Sequence, residues 1–229
     1  MRIFIAWTAL FSVLLSQEIF ATFDVIAAKS ASLATEASGV VKFIAVKAGD
    51  RVSQGDLLAR LDTSSEEIAL ELAKSALSFA KSSFEKAKNA RSVNSKQSFD
   101  EASFNLKQAE LNVARLEDAI SKKSLKAPFD GIIVDKMVEV GEGVGAISKP
   151  LFTLQEYPQV KLLIGVSAKY ASDVTLGDEF KFNHKGKTKT AKITAIRPNI
   201  NPKNQKIYLE ALTKELVVGE FGEGVLVIK

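Results

Sequence analysis

Two stretches decide the reading of this chain: "SGVVKFIAVKAGDRVSQGDLLARLD" at residues 38–62 and "DGIIVDKMVEVGEGVGAISKPLFTL" at residues 130–154. Both open with Gly followed by two β-branched residues. Both reach a second Gly ten positions on, Gly49 and Gly141, each followed by an acid and then by Val three residues past the Gly. Both close on an apolar run suited to a strand. They are two copies of one small unit, and about seventy residues of another kind separate them.

The separating segment is defined by what it lacks. Between Ser64 and Ser124 there is no Gly and no Pro, although the 229-residue chain has 13 Gly and 5 Pro. Ala, Lys, Glu, Ser and Leu dominate, which favours helix. Ser64 and Glu67 have the spacing of a capping box. Leu70, Leu77 and Phe84 repeat in sevens, as do Ala73, Ala80 and Ala87. Phe99, Leu106, Val113 and Ile120 repeat likewise, with Ala102, Ala109 and Leu116 on a second row. These are the a and d rows of a coiled coil. Read in opposite directions the rows match: Leu70 faces Ile120, Leu77 faces Val113, Phe84 faces Leu106, and the Ala rows pair in step. An antiparallel helical hairpin over 63–124 is expected, turning near Val93 to Lys96, with Asn94 or Ser95 capping its second arm. Each arm would reach roughly 40 Å. One continuous dimerising helix is the alternative.

The flanking copies read as strands joined by tight turns at Ala48-Gly49-Asp50, Gln54-Gly55-Asp56 and Gly141-Glu142-Gly143. Neither half is large enough to bury its own apolar face, so the two are expected to pair as one small β-sandwich. Beyond Tyr157-Pro158, short strands are expected over 161–166, 179–182, 188–196, 207–212 and 224–228, with a short helix within 167–174. That spacing suggests a small barrel, to which residues 22–32 would add the first strand.

The N-terminus, "MRIFIAWTALFSVLLSQEIFATF", carries Arg2 and an apolar run from Ile3 to Leu15. The run is short for a membrane span and reads as an export signal over residues 1–21 with its exit near Ala21; an uncleaved anchor is the alternative. No Cys is present, which excludes disulfides, thiolate chemistry and a lipidated Cys. The 31 Lys and Arg against 27 Asp and Glu are scattered, with no basic block to suggest nucleic acid.

In this order, the motifs "VKAGDRVSQGDLLARLD", "LKAPFDGIIVDKMVEVGEGV" and "KTAKITAIRPNINPKNQKIYLEA" resemble those of membrane-fusion proteins, the periplasmic adaptors of tripartite efflux systems. The resemblance covers residues 33–228. It implies an α+β multidomain fold: a lipoyl-like sandwich in two halves (33–62 and 125–156), a coiled-coil hairpin (63–124) inserted where they join, and a β-barrel (22–32 with 157–229). It further implies a periplasmic adaptor of a resistance-nodulation-division type system, bridging an inner-membrane pump and an outer-membrane channel. Several copies would pack around a common axis, and no nucleic acid would be involved. The chain ends imply a minimal member without a membrane-proximal domain. Adaptors of this kind often carry Arg, Leu and Ser at spacings of four and seven across the hairpin tip. Arg91 takes the first place here, with Ser95 and Ala102 in the other two. The tip residues Arg91, Val93, Asn94, Ser95 and Lys96 are the expected partner-binding set.

No catalytic, metal or cofactor site is expected. Lys136, in "VDKMV", resembles a lipoate- or biotin-bearing lysine, but it lies inside a strand and not at the join of the halves. His184 is the only histidine, in a polar turn, and Met137 reads as core. No nucleophile is paired with a base. The alternatives are a lipoyl- or biotin-carrier subunit, and a type I secretion adaptor.

Overall fold

The computed structural model describes residues 17–89 and 95–228. The chain forms two compact units, one from residues up to Lys29 together with Glu156 onward, the other from Ser30–Gln155. In chain order the strands are β1 (Gln17–Ala27), β2 (Ser30–Leu33), β3 (Gly39–Ile44), β4 (Arg51–Val52), β5 (Leu57–Leu61), β6 (Ser124–Lys126), β7 (Gly131–Lys136), β8 (Gly143–Val144) and β9 (Phe152–Glu156), followed by β10 (Gln159–Ser167), β11 (Glu179–His184), β12 (Lys187–Ile196), β13 (Lys206–Lys214) and β14 (Phe221–Ile228). Helices α1 (Ser64–Asn89) and α2 (Ser95–Lys122) lie between β5 and β6. The short helix expected within 167–174 is a single 3-10 turn, Ala168–Tyr170.

In the Ser30–Gln155 unit, neither repeat forms a sheet of its own. One sheet has the order β2-β9-β7-β4 and the other β6-β5-β3-β8, so each takes strands from both copies. The turns that drew attention in the sequence hold this exchange together. The Gly49 amide donates to the Ile133 carbonyl at 2.8 Å, and the Ile133 amide to the Asp50 carbonyl at 3.0 Å. Symmetrically, the Gly141 amide donates to the Val41 carbonyl at 2.8 Å, and the Val41 amide to the Glu142 carbonyl at 2.9 Å. Each copy thus clamps the core strand of the other.

The turns require Gly. Gly49 has φ 92° and Gly141 φ 91°, at the third position of a four-residue turn closed by Asp50 onto Lys47 and by Glu142 onto Glu139. An L side chain is strained there. The acid adds a second closure, since Asp50 Oδ2 accepts from the Lys47 amide at 2.9 Å and Glu142 Oε2 from the Glu139 amide at 3.2 Å. The same module recurs at Gly55-Asp56 and, in the other unit, at Gly177-Asp178. Between the sheets, Val41, Leu58, Leu61, Ile133, Phe152 and Leu154 form a closed apolar core.

The other unit is a closed barrel in the order β1-β10-β13-β12-β11-β14. Alternate residues of β1, namely Ile19, Ala21, Phe23 and Val25, point inward, as the period of two in a strand dictates. Phe23 meets Phe180 and Phe182 edge-on, with centroids 5.7 and 5.1 Å apart. Gly222 and Gly224 leave the room these rings occupy: a Cβ on Gly224 would stand 2.5 Å from Phe180 Cζ.

Three expectations need correction here. The first barrel strand is Gln17–Ala27, not residues 22–32, while Ser30–Leu33 pairs with β9 in the sandwich. Residues 17–21, placed in the export signal, form the first half of β1. The apolar run Ile3–Leu15 lies outside the described residues. Met137 is not core: it is 40% exposed, and Val138 takes the inward place.

Candidate functional site

The hairpin is inserted where it disturbs least. Arg60 pairs with Ser124, and the Leu61 amide donates to the Lys123 carbonyl at 2.9 Å. The ends of the insert are therefore neighbours in one sheet, and about sixty residues leave and return with no gap in the sandwich.

The base is tied by polar contacts. Thr63, buried at 5% exposure, accepts the first helical bond from the Glu67 amide at 2.8 Å, and its hydroxyl donates to Glu67 Oε1 at 2.6 Å. Thr63 is therefore the N-cap, not Ser64. The hydroxyl of Ser64 turns back to Asp62 Oδ1 instead, at 2.6 Å. Lys123 Nζ donates to Glu66 Oε1 at 2.6 Å and to the Asp62 carbonyl at 2.9 Å. That hydrogen bond from Lys123 is the main reason the Glu66 carboxyl sits below its ordinary value. Higher up, Lys74 Nζ and Glu117 Oε1 stand 3.6 Å apart across the arms.

Between the arms, Ala73, Val113 and Leu116 are buried, with Ala69, Leu70 and Leu77 against them. The lower register is the one read from the heptads. Toward the tip it differs: the Phe84 ring packs on Phe99, centroids 5.2 Å apart, where Leu106 was expected. Of the expected turn, Val93 and Asn94 lie outside the described residues, while Ser95 and Lys96 are already helical in α2.

Three further features mark the arm as a surface. A groove of about 770 Å³ runs between the helices, lined by Phe79, Ala80 and Ala87 of α1 and Ala102, Ala109 and Asn105 of α2. Outside the row that meets α2, Ile68, Leu72 and Phe79 are exposed along α1 at spacings of four and seven. On α2, Phe104 and Leu111 are exposed at a spacing of seven, on the side turned away from the core row. Phe79 and Phe104 are 76% and 68% exposed. Large apolar side chains are not held in water at helical spacing by any need of the hairpin itself.

Of the expected tip set, Arg91, Val93 and Asn94 lie outside the described residues. Ser95 opens α2, and Lys96 follows it, exposed, in the first turn. The exposed columns, which sequence reading missed, could have been found from the spacing of Leu72 to Phe79 and Phe104 to Leu111.

The other singled-out side chains are engaged locally. Lys136 ends β7, donates to the Val138 carbonyl at 3.1 Å and pairs with Glu139. His184 ends β11, with Nδ1 3.8 Å from Glu220 Oε2. Among the described residues no group of three or more His, Cys, Asp or Glu could hold a metal ion. No described helix is long and apolar enough to cross a membrane. On the barrel, Glu210 receives Lys161 at 2.7 Å and Arg197 at 2.8 Å. The Lys161 hydrogen bond is the larger cause of its lowered carboxyl pKa.

Comparison with known proteins places this geometry. The family described as CzcB-like, barrel-sandwich hybrid domain matches residues 29–155. An uncharacterised protein of Haemophilus influenzae is 29% identical over 196 residues, 80% of this chain and 49% of that one. The cobalt-zinc-cadmium resistance protein CzcB of Cupriavidus metallidurans is 27% identical over 172 residues, 68% of this chain and 33% of that one. The chain thus spans half or less of the length of these relatives. Among solved structures, a MacA-MexA chimera containing the Pseudomonas aeruginosa MexA α-hairpin domain superposes with a TM-score of 0.77 at 18% identity, covering 94% of this chain and 80% of that one. The membrane fusion protein Spr0693 of Streptococcus pneumoniae R6 does so with 0.69 at 17%, covering 91% and 98%.

Proposed function

The chain belongs to the CzcB-like barrel-sandwich hybrid family, and from that premise we propose that it is a periplasmic adaptor of an efflux system. In this reading it bridges an inner-membrane pump and an outer-membrane channel, of the resistance-nodulation-division type that its sequence resembles. It acts by holding partners and not by catalysis. The observation that carries the proposal is the arm: helices of 26 and 28 residues, anchored at both ends in one sandwich and lined outside with exposed apolar columns. Such an arm has no use in a carrier domain, whose task is to present one lysine.

The columns also support assembly with further copies. Leu72 and Phe79 stand on one helix, Phe104 and Leu111 on the other. A contact joining the two columns is heterologous, and repeated contacts of that kind close into a ring when the rotation permits. Cargo selection belongs to the pump in this account.

The test is genetic. Removing the chain from its own cells sensitises them to a cargo of the pump, and restoring it reverses the effect. Exchanging the pump while keeping this chain changes the range of cargo tolerated. A range that follows this chain overturns the proposal.

A further inference from the structure

The register of the barrel gathers two loops at one end. β10 stops at Ser167 opposite Lys206, where β13 begins, and β12 stops at Ile196 opposite Leu209. β11 starts at Glu179 opposite Val227, close to the last residue of β14. Residues 168–178 and 197–205 therefore share a rim, and the Ala168 amide joins them by donating to the Gln205 carbonyl at 2.9 Å. Ala27 and Gln159, where the barrel strands run out toward Lys29 and Glu156, lie at the far end.

Each loop holds one large aliphatic side chain in solvent on a tied turn. Leu176 is 66% exposed, in a turn that buried Asp178 closes by accepting from the Thr175 amide at 2.7 Å. Val174, two residues earlier, is buried in the barrel core, so the loop already fills its inward place and leaves Leu176 outside. Ile200 is 49% exposed, next to Asn201, whose amide donates to the Lys206 carbonyl at 2.9 Å. Singly such residues are unremarkable. Here both stand among cations. Lys169, Arg197, Lys203 and Lys206 lie along the two loops and the start of β13, against Asp173 and Asp178. Arg197 is paired with Glu210 and Asp178 is bound to Thr175, which leaves a positive rim. Lys169 Nζ sits 4.6 Å above the Tyr170 ring, and both side chains join an apolar stem to a polar tip, as suits a membrane–water boundary. The far end also exposes Val217 and Phe221, but with Glu215 and Glu220 in the same loop.

We propose that this rim binds a phospholipid surface carrying anionic headgroups, with Leu176 and Ile200 entering the headgroup layer and Lys169 and Lys203 meeting its phosphates. The proposal goes beyond the adaptor reading, which rests on the arm and gives the barrel no lipid contact. The chain has no Cys, so a polarity-sensitive dye can be placed at one position at a time through Leu176→Cys, Ile200→Cys or, as the far-end control, Val217→Cys, all at exposed sites. The full chain is mixed with vesicles of phosphatidylethanolamine and phosphatidylglycerol, or of phosphatidylcholine alone. Dye at 176 and 200 is expected to brighten and shift to the blue with the anionic vesicles only, and dye at 217 to stay unchanged. Lys169→Glu together with Lys203→Glu is expected to weaken that partition about tenfold, and raised salt to weaken it likewise. No change at 176 and 200, an equal change at 217 or with phosphatidylcholine, or indifference to the charge reversal overturns the proposal. A signal that native membranes give and lipid vesicles do not also overturns it, and assigns the rim to a membrane protein instead.

Discussion

Gly131 shows at residue scale how tightly the interleaved halves are joined. A Cβ there would stand 2.2 Å from the Gln155 carbonyl oxygen and 2.9 Å from Leu154 Cδ1. The obstacle is backbone, so it cannot rotate away. Gly131→Ala is expected to cost at least the 1–3 kcal/mol typical of overpacking, read as a lowered midpoint in chemical denaturation. Gly141→Ala meets nothing within 4 Å, and its cost is conformational only, about 1 kcal/mol. The two substitutions therefore separate lost space from a strained φ, and equal losses at the two sites would contradict this division. The Gly-acid turns were legible in the sequence, because Gly followed by Asp or Glu between apolar runs has few other uses. The cap was not. Ser64 and Glu67 have the right spacing, but Thr63 is buried and reaches Glu67 first, and burial is invisible in a spacing.

At the scale of elements, the arm is held by a thin apolar seam and a polar base. Val113 is 8% exposed between the helices. Val113→Asp places an unpaired carboxylate in that seam and is expected to melt the arm while the sandwich stays folded, since burying a charge without a partner is costly. Loss of helical circular dichroism with strand signal retained is the expected result, and a fully helical variant would contradict it. Cysteines at 77 and 113 are expected to crosslink within one chain; crosslinks only between chains would favour the continuous helix. The base has a pH dependence with a definite sign. The folded-state pKa of Glu66 is lowered, chiefly by the Lys123 hydrogen bond. Its contribution is present in full above the ordinary Glu value of about 4.3 and is lost as pH falls through the lowered folded value. Lys123→Met is expected to flatten the acid limb of hairpin unfolding, and an unchanged limb would show that Glu66 carries none of it. The heptads gave the seam near the sandwich but not the contact of Phe84 with Phe99, because a repeat of seven fixes which faces meet and not which turns of the two helices stand level.

For the whole molecule, the order of the parts could be read directly: two copies of one unit, a helical arm at their join, and a barrel after them. What could not be read was the division of residues 17–33. One alternating apolar stretch serves as barrel strand to Ala27 and another as sandwich strand from Ser30, and alternation alone does not say which sheet a strand joins. The exposed columns of the arm were not read, since heptad reading seeks the buried rows and passes over Phe79, Phe104 and Leu111 on the outside. The central claim is that the arm links one membrane system to the other. It is tested most directly by capturing the tagged chain from its own cells after crosslinking, with and without residues 64–122. The pairing of Arg60 with Ser124 lets a short loop replace the arm. The account predicts that the parent brings down both an inner-membrane transporter and an outer-membrane channel, and that the armless form keeps the transporter and loses the channel. Retention of the channel by a folded armless chain would contradict it.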